Sequence, residues 1–327
     1  MTGGTVLTGI FGVVFVVAAN QAPSQAQQAQ PPAEQQAPST RFRSSVDLVS
    51  VAAVVRDRKG RFVKDLVQKD FEIVEAGVRR PIIDFRAELN GPIKVGVLLD
   101  ISGSMRVGQR TAEAKPAAKH VFASLSGKDE GAVFTFDTML SEAQAFTSSR
   151  QKLEAALESA EKPFGQTSLY DAIAQTARMV AGASKSGPRG VPHRGAVVVI
   201  TDGIDTRSRL TPEEVSMVAS SIDVPVYILA VVADVDDPRE NPEHQRAAAV
   251  ASDLQELARG TGGDLFISSS PAHTSVAARQ MASELRHQYV LAFEASSRRG
   301  WRRLEVRTRQ ASLVVRARTG YSGDKSS

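Results

Sequence analysis

The spacing of apolar positions changes twice along this chain. From Ser45 to Phe85 it is that of strands. Val46 to Val55 is rich in valine and stops at Asp57-Arg58-Lys59-Gly60, a turn signal. Phe71 to Glu75 and Arg80 to Phe85 predict two further short strands around Ala76-Gly77, with Pro81 marking an edge or a bend. From Ile93 the pattern alternates between strands and helices. Ile93 to Leu99, apolar but for Lys94, and Ala196 to Ile200 are apolar runs, as expected of strands buried on both faces. Ala132 to Phe136, Glu142 to Phe146, Val224 to Val232 and Leu265 to Ser268 predict the other strands. Helical spacing appears within Thr111 to Leu125, where Pro116 is expected to kink or open the helix. It recurs at Leu153, Ala156, Leu157 and Ala160, at Leu169 to Val180, at Ala247 to Ala258 and at Ser275 to Arg286. Thr211-Pro212-Glu213-Glu214 starts one more helix with a capping box. After His287 the strand pattern returns at Tyr289 to Phe293, Trp301 to Thr308 and Leu313 to Arg318.

This order predicts an α/β fold: a doubly wound, mostly parallel sheet, with a flanking β-sandwich-like module built from the N- and C-terminal segments. The expected divisions are an N-terminal β segment over 41–90, the α/β domain over 91–287, and a C-terminal β segment over 288–321 that pairs with the first.

Composition changes the picture at the N-terminus. Val6 to Ala19 is apolar, and the first 40 residues carry a single charged side chain, Glu34. Val17-Ala18-Ala19 at the end of the run offers small residues for cleavage, with Ala22 and Ala26 as alternative points, so residues 1–22 read as a signal peptide and the chain as exported, periplasmic or secreted. An uncleaved membrane anchor is the alternative, although fourteen residues are short of the about 20 that a hydrocarbon layer needs. Residues 23–40 are mostly Gln, Ala and Pro and read as a disordered linker. The absence of cysteine excludes disulfides, zinc ribbons, iron–sulfur clusters and thiol nucleophiles.

Candidate chemistry lies at strand ends. The run Ile93–Leu99 leads into Asp100-Ile101-Ser102-Gly103-Ser104, and Ala196–Ile200 into Thr201-Asp202-Gly203. Gly165-Gln166-Thr167 precedes a helix between them. Ligands of open α/β sheets bind beyond the carboxyl ends of strands where the strand order reverses. Two carboxylates and several hydroxyls therefore converge there if the two strands are neighbours. All are hard oxygen donors, suited to Mg²⁺, Mn²⁺ or Ca²⁺ and not to zinc or copper. Neutral hydroxyl ligands leave residual positive charge and an open position that an anionic partner group could fill.

These residues resemble the metal-ion-dependent adhesion site of von Willebrand factor type A domains. Asp100, Ser102 and Ser104 match its Asp-x-Ser-x-Ser element, Thr167 its threonine and Asp202 its second aspartate. The resemblance covers about 91–287. The flanks, Val63 to Phe71, Tyr289-Val290-Leu291 and Arg318-Thr319-Gly320-Tyr321, are similar to those of bacterial exported proteins related to von Willebrand factor A. The resemblance implies that Ser102, Ser104 and Thr167 bind Mg²⁺ directly and that Asp100 and Asp202 often act through water. It implies a protein partner presenting an acidic side chain, and no catalysis. Gln166 stands where the family often has Gly.

Other signals narrow the reading. Asp234-Val235-Asp236-Asp237 follows a strand as in aspartyl-phosphate hydrolases, but Pro238 occupies the position where Thr or Val is needed, so an acidic loop is expected. The five histidines form no pair at metal spacing. No phosphate loop and no Gly-x-Ser-x-Gly elbow occurs. Arg298 to Arg318 holds eight arginines and one acid, Glu305; Trp301, Arg303, Glu305, Arg307 and Arg309 share a strand face opposite Leu304 and Val306. The alternative function is thus a structural scaffold with a vestigial metal site that binds through this arginine-rich face. A hydrolase built on the metal would lack any base beyond the two aspartates. Nucleic acid is not an expected partner of an exported chain, a membrane is one only if the N-terminal segment stays as an anchor, and no signal fixes an oligomeric state.

Overall fold

The computed structural model describes residues 48–88, 91–106, 110–160, 163–185, 194–232, 245–268 and 270–323. The expected signal peptide, the linker, the Asp234–Asp237 loop and most of the loop from Lys185 to Arg194 lie outside the described residues. The first strands are β1 (Leu48–Arg56), β2 (Phe71–Glu75), β3 (Val78–Arg80) and β4 (Ile82–Glu88). The strand expected over Arg80 to Phe85 is divided by Pro81. Proline has no N–H to give to a ladder, and here it marks the point where the chain passes between sheets, since β3 and β4 are edge strands of two different ones.

The α/β part then follows as β5 (Ile93–Asp100), α1 (Arg110–Ala123), β6 (Glu130–Phe136), β7 (Leu140–Thr147), α2 (Arg150–Ser159), α3 (Leu169–Ser184), β8 (Arg194–Thr201), α4 (Pro212–Ser221), β9 (Val226–Val231), α5 (Gln245–Gly260), β10 (Leu265–Ser268) and α6 (Pro271–Arg286). Its sheet has the order β10-β9-β8-β5-β6-β7. All pairings in it are parallel except β6 with β7. Every residue of β5 is buried, because helices cover both faces of the sheet. Val95, Val97 and Leu99 pack with Ala117, Val121 and Phe122 of α1, Leu153 of α2 and Met281 of α6. Leu98 joins the opposite core with Ile173 and Val180 of α3, Val215 of α4 and Leu257 of α5. Gly96 lets α3 lie close, since a Cβ there would come within 2.8 Å of a Val180 methyl. The helix runs from Arg110 through Pro116 to Ala123, so Pro116 does not open it. Its buried face, Ala114, Ala117, Ala118, Val121 and Phe122, supplies the packing that offsets the cost of an interior proline, about 3 kcal/mol for the lost bond and the ring clash together.

The last strands are β11 (Gln288–Glu294), β12 (Trp301–Thr308), β13 (Val314–Ala317) and β14 (Gly320–Ser322). Both chain segments contribute to each of two antiparallel four-stranded sheets, ordered β13-β1-β11-β4 and β14-β12-β2-β3. β1 pairs with β11 from Leu48↔Glu294 to Ala53↔Tyr289, and β12 with β2 from Leu304↔Glu75 to Thr308↔Phe71. Their shared core includes Val51, Val55, Phe71, Ile73, Tyr289, Phe293, Leu304 and Tyr321. The α/β domain is thus inserted between the two halves of a β module.

Charge is buried in this module at Glu75. It accepts hydrogen bonds from Arg80 (2.7 Å), Arg302 (3.4 Å) and the Tyr321 hydroxyl. Arg302 also donates to the Tyr321 oxygen at 3.0 Å. Burial pushes the Glu75 carboxyl pKa up, but bonds from Tyr321, the Ser296 N–H and Arg80 outweigh it and hold the carboxyl below its usual value of 4.5. Breaking one side of a buried pair costs about 3–5 kcal/mol, so Glu75→Gln is expected to lower the melting temperature clearly at pH 7. A depressed carboxyl contributes stability above its unfolded pKa and loses it as pH falls through the folded one. The gap between wild type and Glu75→Gln, read by thermal melts, should therefore close as pH drops below 4.5.

A second buried charge lies where the two parts meet. Glu284 of α6 is fully buried and pairs with Arg56 of β1 and Arg316 of β13. Arg316 also pairs with Asp264, just before β10.

Candidate functional site

β5 and β8 are hydrogen-bonded neighbours in register Leu99↔Ile200. That places Asp100, the last residue of β5, beside Thr201, the last residue of β8. β6 lies on the other side of β5, so the chain turns to opposite edges of the sheet from this point, and the crevice opens at the carboxyl ends of β5 and β8.

Asp100 is only 2 % exposed. One carboxylate oxygen accepts the Ser102 N–H at 2.8 Å and the other the Thr201 hydroxyl at 2.6 Å. Burial pushes its pKa up to about 6, against the pull of the Ser102 and Thr201 bonds and with a further push from Asp202. Ser102 is fully buried, and its hydroxyl lies 3.0 Å from that of Ser104. Both serines stand on the turn that leads from β5 through a short 3-10 helix at Gly103–Arg106.

Thr167 is brought up on a separate loop. Gly103 N–H donates to Gly165 O at 2.9 Å, and a Cβ at Gly103 would sit 2.9 Å from that same oxygen. Only glycine permits this approach without a shift. Gly165 has φ 86°, a left-handed conformation that glycine adopts at no steric cost. Gln166, the departure from the family pattern, follows this turn. The loop after β8 then clamps Thr167: its N–H donates to the Thr206 hydroxyl at 2.9 Å, and its carbonyl accepts the N–H groups of Thr206 and Arg207. Asp205 accepts the Leu169 N–H and Ser208 the Tyr170 N–H, capping α3 from the same loop. Asp171 in turn accepts the N–H groups of Arg209 and Leu210.

Asp202 is 6 % exposed. It accepts the Ile204 N–H at 3.1 Å and, on its other oxygen, Arg110 Nη1 at 2.8 Å. The same Arg110 nitrogen donates to the main-chain carbonyl of Ser104 at 3.1 Å. The structure therefore brings Asp100, Ser102, Ser104, Asp202 and the Thr167 loop to one crevice, and adds Arg110, Thr201, Asp205 and Thr206. The motif had not singled out these four. Thr201 and Thr206 lie one residue before and four residues after Asp202, and a hydroxyl on each side of a strand-end aspartate is the one hint the sequence offers. Arg110 opens α1, where the helix dipole disfavours a cation, and the Asp202 carboxylate offsets that cost.

The donor set suits a hard divalent cation. It is two carboxylates and three hydroxyls, with no nitrogen or sulfur ligand. Among the described residues no group of three or more His, Cys, Asp or Glu side chains is placed to hold a metal ion, so any such ion here would depend on hydroxyl and water oxygens. The rim is apolar and open: Phe164 and Met139 are 76 % and 77 % exposed. Phe164 N–H bonds Ile101 O beside Ser102, and Met139 sits on the Asp137 turn whose carbonyl accepts the Ser168 N–H.

The arginine-rich C-terminal strands divide. Arg303 and Arg307 face solvent with Trp301, and Arg307 pairs with Glu305 while Arg79 pairs with Glu72. Arg302, Arg316 and Arg318 turn inward onto Glu75, onto Glu284 and Asp264, and onto the Ser50 and Ser220 carbonyls. Three of the eight arginines are thus part of the internal bracing.

Residues 95–204 match a family model described as von Willebrand factor type A domain. The match takes in Asp100, Ser102, Ser104, Arg110, Thr167, Thr201 and Asp202, stops short of Asp205 and Thr206, and supports a domain of that type over this part of the chain. No curated protein sequence matches the chain. Similar solved structures include the conserved hypothetical protein BatB from Bacteroides thetaiotaomicron, at 18 % identity and TM-score 0.45, covering 59 % of this chain and 98 % of that one. A von Willebrand factor type A protein from Catenulispora acidiphila is 13 % identical with TM-score 0.47, covering 86 % and 76 %. Proximal thread matrix protein 1 from the mussel byssus is 16 % identical with TM-score 0.46, covering 72 % and 50 %. None of these likenesses carries an argument about function.

Proposed function

We propose that this chain is a binding module, not an enzyme, that holds Mg²⁺ or a similar divalent cation at the β5–β8 crevice and uses it to engage an acidic side chain of a protein partner. The observation that carries this is the oxygen-only set of Asp100, Ser102, Ser104, Thr167 and Asp202 at the switch point of the sheet, all buried but the half-buried Ser104. A carboxyl with its pKa raised to about 6 is poorly solvated when ionised at neutral pH. A divalent cation would relieve that cost. When bound it supplies positive charge and an open coordination position for an anionic ligand. The hydroxyl ligands add no negative charge, so much of the cation's charge is left for the partner.

The exposed Phe164 and Met139 give the same rim an apolar contact surface. An anchor of this type carries a large share of binding energy when a partner covers it. Phe164→Ser is expected to weaken partner binding by about tenfold while leaving cation binding unchanged. The export reading follows from the apolar N-terminal run alone and places the partner outside the cytoplasm.

The test is capture of partners on immobilised full-length protein, with Mg²⁺ and with EDTA, read by mass spectrometry. The reading expects proteins that are retained in Mg²⁺, released by EDTA and absent from an Asp202→Ala column. Retention indifferent to EDTA would favour the scaffold alternative, with Trp301, Arg303 and Arg307 as its contact face.

A further inference from the structure

Resting on that reading of the crevice, we propose that Arg110 competes with the divalent cation for Asp202 and so sets the strength and selectivity of cation binding. Arg110 is 6 % exposed, opens α1, and points its Nη1 at one Asp202 oxygen (2.8 Å) and at the Ser104 carbonyl (3.1 Å). Ser104 and Asp202 are both expected to hold the cation. The guanidinium therefore occupies one expected donor, the Asp202 carboxylate, and is held there by the main chain of a second, Ser104.

Two consequences follow from charge. An arginine stays protonated under all ordinary conditions, so the two carboxylates and Arg110 together leave one net negative charge to attract a divalent ion. The two carboxylates alone would leave two. At a few ångströms, in a low-dielectric crevice, one unit of charge changes cation affinity by roughly tenfold or more. Asp202 does not need Arg110 for its orientation. The Ile204 N–H already fixes its other oxygen at 3.1 Å, and the turn at Gly203, with φ 82°, sets the loop. Removing the guanidinium therefore frees a ligand oxygen without releasing the side chain.

The arrangement also keeps the crevice stable without a metal. Asp202 is buried, and an unpaired carboxylate there would be costly. Arg110 supplies the partner when no cation does, and yields it when one binds. A weak, exchangeable cation site results, and one that favours ions able to displace a guanidinium.

Mn²⁺ titration of the chelator-stripped full-length protein, followed by calorimetry, compares wild type with Arg110→Gln, Arg110→Met and Arg110→Lys. The expected result is roughly tenfold or tighter Mn²⁺ binding by the Gln and Met variants, with Lys close to wild type. In EDTA the Gln and Met variants should melt below wild type, and saturating Mn²⁺ should close that gap. The Met variant keeps the apolar packing of the side chain and serves if Gln does not fold. Equal or weaker Mn²⁺ binding by both neutral variants would overturn the proposal and make Arg110 a support for Asp202, with the cation site intact. Tightening by Lys as strong as by Gln would overturn it too, because charge would then not be the cause. Absence of saturable binding in wild type and variants alike would remove the underlying cation reading together with this one.

Discussion

Asp100→Ala is expected to reduce divalent cation affinity by at least about 100-fold and to abolish cation-dependent partner binding, while the protein stays folded. Asp100 joins the two loops of the crevice: its oxygens hold the Ser102 N–H and the Thr201 hydroxyl. Its loss removes one of only two carboxylates and unfastens the turn that carries both serines. The fold should tolerate the change. A carboxyl whose pKa rises on folding destabilises the native state above its unfolded pKa, so removing this one returns some of what the lost hydrogen bonds cost. Circular dichroism melts in EDTA should show a shift of a few degrees or less, and partner capture in Mg²⁺ should fall to the EDTA background. A protein that unfolds outright would assign Asp100 to structure alone.

Glu284→Gln should produce the largest loss of stability. Glu284 is fully buried and pairs with two arginines that arrive from opposite ends of the chain, Arg56 and Arg316. Neutralising it leaves two guanidinium groups, each about a fifth exposed at the side chain, with one acid, Asp264, between them. Breaking a buried network of this kind costs about 3–5 kcal/mol. The effect is expected to fall on the junction of α6 with β1 and β13. Hydrogen exchange should therefore quicken first in α6, β1 and β13, with β5 and β8 protected for longer. Uniform quickening over all strands would place the role of Glu284 in global stability instead.

The two parts of the chain were legible in the sequence to different depths. β5 and β8 announced themselves because a strand covered on both faces has no polar position, and Ile93–Leu99 and Ala196–Ile200 have almost none. The β module was readable from alternation, and Pro81 from its missing N–H. β14 was not read as a strand, since three residues, Gly320 to Ser322, are too few to show a period of two. Gly320 is there because a Cβ would come within 2.3 Å of the Trp301 ring. The helical spacing of α1 is legible on both sides of Pro116, but the tertiary packing that keeps an interior proline there is not local and so cannot be read from it.

For the crevice, a motif of fixed residue types could be read, and the residues that hold it together could not. Thr206 and Asp205 act on the Thr167 and Leu169 main chain only once two loops nearly forty residues apart in sequence are folded together. Arg302 shows the same limit. Its parity with Leu304 and Val306 places it on the core face, yet a buried arginine needs a partner, and that partner, Glu75, lies 227 residues away. Arg110 reads as an ordinary surface charge until Asp202, 92 residues later, is placed beside it.

A divalent-cation site at the crevice is tested most directly by calorimetric titration of Mg²⁺ and Mn²⁺ into the chelator-stripped full-length protein. The expected result is saturable heat for one site per chain in wild type, and none for Asp100→Ala under the same conditions. Wild type that shows no saturable binding at millimolar metal, or an Asp100→Ala variant that binds as wild type does, would contradict it.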